Sequence, residues 1–320
     1  MNNQRIPRFQ ISILARSSFV FMAVGLAVLF ASTFAGASTP QGHFDKTLQV
    51  SGPVNLEVET GAGDIVVKSG APGSVSIRAK IYVGDHWLFG NRQTDVSDIE
   101  QHPPVRQDGN SIHIEKVTGR NISIDYEITV PADTTVRSHS GSGNETIEGT
   151  HGNVDVTTGS GDVKLSRLTG EIHLQTGSGN VRALEIAGPV RGGAGSGDIE
   201  VQEIASGDVD LHTGSGNVSA RGIQGALRAE AGSGDITAEG TQAGAWEIRT
   251  GSGNVHVRLP ANAAFDADIS TSSGTLDLNV PITTTVQGRV QEARKHIVGK
   301  AGGGGSLLSV KTGSGDIHIE

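Results

Sequence analysis

The chain has no cysteine among its 320 residues. It therefore has no disulfide, thiol nucleophile, cysteine-held metal or lipid-modified N-terminal cysteine. Aromatic residues make up only 4%, which leaves little material for a sugar-binding platform of exposed rings. Basic residues number 25 against 34 acidic ones, for a net charge of −9. That deficit argues against a nucleic-acid partner, which wants a basic face, and against simple adsorption to an anionic membrane. Beyond residue 37 there is no long hydrophobic run, so no transmembrane segment is expected in a mature chain.

The one long apolar run stands near the start. Arg5, Arg8 and Arg16 precede FVFMAVGLAVLFA at residues 19–31, with no acidic residue among them. That core is shorter than the roughly 20 residues of a membrane-spanning helix. Ala35, Gly36 and Ala37 then place small residues where a signal peptidase cuts. Residues 1–37 read as a signal peptide, leaving Ser38 as the new N-terminus; the rival reading is an uncleaved anchor. Removing this segment takes three Arg and no acid, so the mature net charge is about −12. The expected destination is the periplasm, the cell surface or the medium.

Glycine is abundant, with 46 residues, and it is periodic. Gly-Ser-Gly triplets begin at Gly141, Gly159, Gly177, Gly195, Gly214, Gly232 and Gly251, in steps of 18 or 19. A degenerate copy starts at Thr271, a clean one at Gly313, and an early relative, TGAGDIVV, at Thr60. A period held this well marks a repeat architecture. Each triplet is followed by Asp or Asn, and the apolar residues keep fixed offsets from it. Val163, Val181 and Ile199 come one residue later, and Leu165, Ala183 and Val201 three later. Leu168, Ile186, Ile204 and Ile223 follow at offset six. A second glycine then precedes another alternating pair, such as Ile172/Leu174 or Trp246/Ile248. Spacing of two puts each pair on one face of a strand.

Eighteen residues cannot bury both strand faces alone, whereas stacked units close a continuous core. The expected fold is all-β: a parallel β-solenoid or β-helix with about 18–19 residues per unit, and irregular strands and capping segments at both ends. An antiparallel meander is the alternative, but like residues recur once per full unit, as stacked coils require. The expected organisation is a signal peptide at 1–37, then an N-terminal β-rich part at 38–137 with a short helix in TDVSDIEQ. A repeat solenoid at 138–320 follows, with a loop excursion near 287–305.

The repeated TGSGD and TGSGN phrases, ISIDYEITVPADTTV before the array and the closing GRVQEARKHIVGKAGGGGSLLSVKTGSGDIHIE resemble a widespread bacterial family. Its members are exported proteins that carry the name adhesin and a domain of unknown function. The resemblance covers most of residues 45–320. It implies a β-helix-like fold and a cell-envelope or surface setting, and it supplies no catalytic residues. The name adhesin is itself inferred from fold in that family.

The repeat fits some chemistries and not others. A phosphate loop needs a lysine and a following helix, and neither is present. The calcium β-roll signature spaces its last Gly from the Asp, whereas Gly161 adjoins Asp162, and alternate corners carry neutral Asn. The corner positions Asn144, Asp162, Asn180, Asp198, Asn217, Asp235, Asn254 and Asp316 are expected to form a structural ladder. An all-Asp column would stack like charges about 4.8 Å apart, and inserting Asn relieves that. A coil of about 37 residues, with Asp and Asn on separate corners, would give the same alternation. The histidines, among them His173, His212 and His256, appear at different offsets, so no histidine column is expected. Trp87 and Phe89, where the pattern lapses, are either a contact patch or a cap on the end of the stack. No catalytic residue, metal or cofactor is expected. The sequence reads as an exported, non-catalytic, adhesin-like binding or scaffold protein of the envelope, its ligand an unknown protein or glycan. The alternatives are a carbohydrate-active β-helix enzyme and a calcium-binding β-roll-like protein.

Overall fold

The structure is a computed structural model, and it describes residues 39–84, 92–118, 121–284 and 295–320. Two long sheets face one another, with 13 and 14 strands among the described residues. Each regular coil sends one strand to each sheet. Val154–Ser160 lies in one sheet, the Gly-Ser-Gly corner turns the chain, and Val163–Thr169 lies in the other. The next coil repeats this in parallel register, with Val154 beside Ile172 and Val163 beside Val181. One coil is therefore one 18-residue unit, which excludes the 37-residue alternative. Inward side chains at every second position form the core between the sheets, and Val156, Leu165, Leu174 and Trp246 are all fully buried there.

The T-G-S-G phrase is explained by how one coil sits on the last. Inward-facing Thr213 and Thr250 donate their hydroxyls to the carbonyls of Gly197 and Gly234 in the preceding coil, at 3.0 and 2.9 Å. A Cβ on Gly159 would lie 2.6 Å from the carbonyl oxygen of Gly141. Gly161 has φ +142°, and a Cβ there would overlap the oxygen of Gly143. Only glycine tolerates both the backbone angle and the close approach.

Spatial order departs from chain order at both ends. The coil formed by Val54–Thr60 and Ile65–Gly70 sits between the coil 111–131 and the coil 134–148. The last coil, Ser306–Ser314 with Ile317–Ile319, sits between Trp246–Ser252 with Val255–Arg258 and Phe265–Ser273 with Leu276–Leu278. The strands of 39–137 thus share both sheets with those of 138–320. Antiparallel strands finish the stack. Ser74–Val83 and Gly42–Gln49 close one sheet beyond Ile122–Pro131, and His296–Ala301 pairs antiparallel with Phe265–Ser273 in the other. Such additions limit the open edges that would otherwise template aggregation. Helix Arg92–Gln101 covers the first strand: it buries Val96 and Ile99, and its Glu100 carboxylate accepts the His43 amide at 2.9 Å.

Two sequence expectations need correction. From residue 295 onward, the stretch read as a loop excursion near 287–305 contains the strand His296–Ala301, whose alternating pattern pairs it to a sheet edge; residues 285–294 lie outside the described residues. Ile204, placed with Leu168 and Ile186 at offset six, is 60% exposed. In the 18-residue coils the offset-five residue is left-handed, as at Arg167 (φ 53°) and Glu185 (φ 58°). That kink turns the offset-six side chain inward. The 19-residue coil after Asp198 has no such kink, so plain alternation continues and Glu203 takes the slot beside Ile186.

Candidate functional site

The corner side chains form one hydrogen-bonded column. Asp162 accepts the Asn180 amide N–H at 2.8 Å and its Nδ2 at 3.3 Å. Asn180 Oδ1 in turn accepts the Asp198 N–H at 3.1 Å. The pattern continues through Asn217, Asp235 and Asn254, each backbone N–H donating to the Oδ1 of the coil before it. Asn144 joins from the other side, donating to Asp64 and accepting from Asp162. Asp316 enters out of chain order, donating to Asn254 and accepting from Thr275. Asp and Asn alternate without a break from Asp64 to Asp316, across both out-of-order insertions. Along that run no two carboxylates are neighbours; just beyond it Asp64 donates its backbone N–H to Asp125 Oδ1 at 2.9 Å, so two corner carboxylates adjoin there. Trp87 and Phe89 lie outside the described residues, as do residues 1–38.

The outward faces are built from charge pairs in the same register. On one sheet Glu57, Arg137, Asp155 and His173 stand side by side, followed by Arg191, Asp210, Arg228 and Glu247. Arg137 lies 3.6 Å from Asp155, and Glu230 is shared by Arg228 at 2.9 Å and Arg249 at 3.3 Å. Exposed pairs of this kind each add little to stability. A shallow groove of about 370 Å³ crosses this face, lined by Glu57, His113, Arg137, Asp155, Glu171 and His173 among others.

On the other sheet the C-terminal insertion brings two histidines together. His256 and His318 occupy adjacent positions, their rings stacked 4.9 Å apart. His256 Nε2 is 3.1 Å from Glu320 Oε1, and His318 Nε2 is 3.4 Å from Glu320 Oε2. Arg258 donates to Glu320 Oε1 from Nε at 2.9 Å and Nη2 at 2.7 Å. Those bonds, with the histidines adding, hold the Glu320 carboxyl down at about 2. His318 Nδ1 lies 2.9 Å from Asp277 Oδ2. The expectation of no histidine column is thus corrected by a stacked pair. The signal was present: both residues stand two positions after a corner Asx, Asn254 and Asp316. It was hidden because their coils are neighbours in space and not in sequence.

Two carboxyls are buried in the core, and the repeat pattern marks neither as an inward residue. Glu145 occupies the column of Ile65 and Val163 and is fully buried, with neither oxygen hydrogen-bonded. Ser138 and Ser140 in the same coil are also buried with unpartnered hydroxyls. Burial pushes Glu145 up to about 7. Glu203, 4% exposed, is pushed up to about 8 by burial, with Asp208 adding to the rise.

A family model described as Toastrack DUF4097 matches residues 105–320. The chain belongs to that family. The matched span takes in the corner column from Asn144 to Asp316 and the His256, His318, Glu320 group; the coil 54–70 lies before it. Several solved structures are similar, and three of them follow. A candidate adhesin from Bacteroides fragilis is 14% identical, covering 89% of this chain and 100% of its own, at TM-score 0.39. One from Parabacteroides distasonis is 10% identical over 88% and 99%, at 0.33. A candidate cell-adhesion protein from Clostridium sporogenes is 14% identical over 87% and 98%, at 0.27. At these scores the likenesses say nothing of function. No curated protein matches the chain.

Proposed function

We propose that this Toastrack protein is an exported, non-catalytic, adhesin-like binding or scaffold module of the bacterial envelope. The supporting observation is the outer face on which Glu57, Arg137, Asp155, His173 and their successors repeat once per coil. Paired charges fixed at one strand spacing give a rigid polar surface on which a repetitive ligand can make many weak contacts at once. Such contacts add through effective concentration. The basic start, apolar core and Ala35-Gly36-Ala37 site support export, with Ser38 as the first mature residue.

The test is a pull-down of the mature chain from envelope extracts, beside a triple variant, Arg137→Glu, Arg191→Glu and Arg228→Glu. The account expects specific capture that weakens in the variant and with rising salt. Equal capture by both, or cleavage of an envelope polysaccharide by the purified chain, would overturn it. N-terminal sequencing of the exported protein should begin at Ser38.

A further inference from the structure

We propose that His256, His318 and Glu320 bind a divalent transition-metal ion of the zinc class, and that this ion clamps the out-of-order C-terminal coil to its neighbour. Among the described residues they form a group whose donor atoms all lie within 4.8 Å of one another. Tetrahedral zinc with ligand distances of about 2.0–2.1 Å needs donors about 3.4 Å apart. The 3.4 Å between His318 Nε2 and Glu320 Oε2 already matches that edge, while the 3.1 Å contact of His256 Nε2 is to Oε1, the oxygen that Arg258 holds.

A second observation points the same way. Ionised Asp277 can only accept a hydrogen bond, so its 2.9 Å contact places a proton on His318 Nδ1. That leaves Nε2, 3.4 Å from Glu320 Oε2, as the nitrogen available to an ion. Carboxylate, histidine and metal in that order are the usual way a zinc-bound imidazole is oriented. Asp277 is therefore the positioning residue. Its strand, Leu276–Leu278, flanks the C-terminal coil on the side away from His256. Arg258 competes for Glu320, since its guanidinium occupies Oε1 and leaves Oε2 as the oxygen for the ion. The three ligand side chains are each about one-third exposed, so a fourth position on the solvent side is open to water.

The test is titration of zinc chloride, and separately cobalt chloride, into the EDTA-stripped, tag-free mature chain. One ion per chain should bind, with a cobalt spectrum typical of tetrahedral nitrogen and oxygen ligands. Zinc at a hundredfold excess over Kd should raise the melting temperature by about 5 °C. His256→Ala and His318→Ala should each abolish binding while the metal-free melting temperature stays near the parent's. Asp277→Asn should weaken binding about 10–100-fold, and Arg258→Ala should strengthen it. If a histidine variant fails to fold, the Asp277→Asn and Arg258→Ala pair still decides. No binding at millimolar zinc, unchanged stoichiometry in the histidine variants, or binding indifferent to both Asp277 and Arg258 would overturn the proposal.

Discussion

Changing Asn180 to Asp is the sharpest perturbation of the corner column. Asn180 sits between Asp162 and Asp198 and bonds to both, donating to the first and accepting from the second. The substitution keeps the backbone bond from residue 180 to Asp162 but removes the Nδ2 donor. It also sets three carboxylates in a row, about one strand spacing of 4.8 Å apart. At that distance each new like-charge contact costs about 0.9 kcal/mol in water-like surroundings, and more where protein displaces solvent. There are two such contacts, so the expected loss is about 2 kcal/mol, or about 5 °C in melting temperature. The Debye length shrinks from about 10 Å at 0.1 M salt to about 3 Å at 1 M. Most of the loss should therefore disappear between these conditions. In acid, where carboxylates are neutral, variant and parent should converge. Calorimetric melting at both salt concentrations and at pH 7 and pH 2 reads all three effects. A variant that melts with the parent in every condition would refute the stacked-charge reasoning. A constant deficit, indifferent to salt and pH, would refute it equally.

The buried carboxyls predict an acid-favoured fold. Glu145 and Glu203 hold their protons up to about 7 and about 8 in the folded chain, against 4.5 for the same groups unperturbed. The folded state thus binds more protons, and stability erodes as pH climbs from about 4.5 through these values, by up to about 8 kcal/mol in all. Melting temperature should fall between pH 5 and pH 9, and Glu145→Gln with Glu203→Gln should flatten that fall; an unchanged slope would count against it. Gly161→Ala combines a forbidden φ with backbone overlap and should cost about 3 kcal/mol or more. Gly73→Ala, with φ +88° but no atom within 4 Å of the added Cβ, should cost only about 1 kcal/mol when the two variants are compared by urea melts.

The regular part of the fold was legible because each coil repeats the same solution. The inward residues Val163, Val181 and Ile199 and the T-G-S-G corner recur at a fixed spacing, and stacking them in register follows directly. What could not be read was any feature that depends on which coils touch. Asp64 and Asp316 complete the corner alternation only because their coils are inserted out of order. His256 and His318 meet for the same reason. Ile204 and Glu203 exchanged places because one extra residue removes a left-handed kink, which offset counting does not see. Glu145 was invisible in another way: a carboxyl at a core position breaks the hydrophobic pattern that sequence reading relies on.

Cysteine cross-linking tests the out-of-order docking of the C-terminal coil directly, because the chain has no native cysteine. Glu247 and Ser309 are register partners, and Ser309 in turn lies beside Asp268. The variant Glu247→Cys/Ser309→Cys places its sulfurs one strand spacing apart, about 4.8 Å between Cα atoms, within disulfide reach. In Glu247→Cys/Asp268→Cys the spacing doubles and exceeds that reach. Intact-mass spectrometry after mild oxidation should show an intramolecular disulfide, a loss of two hydrogens, in the first pair and free thiols in the second. Coils stacked in chain order would give the reverse, a disulfide between positions 247 and 268 and none between 247 and 309.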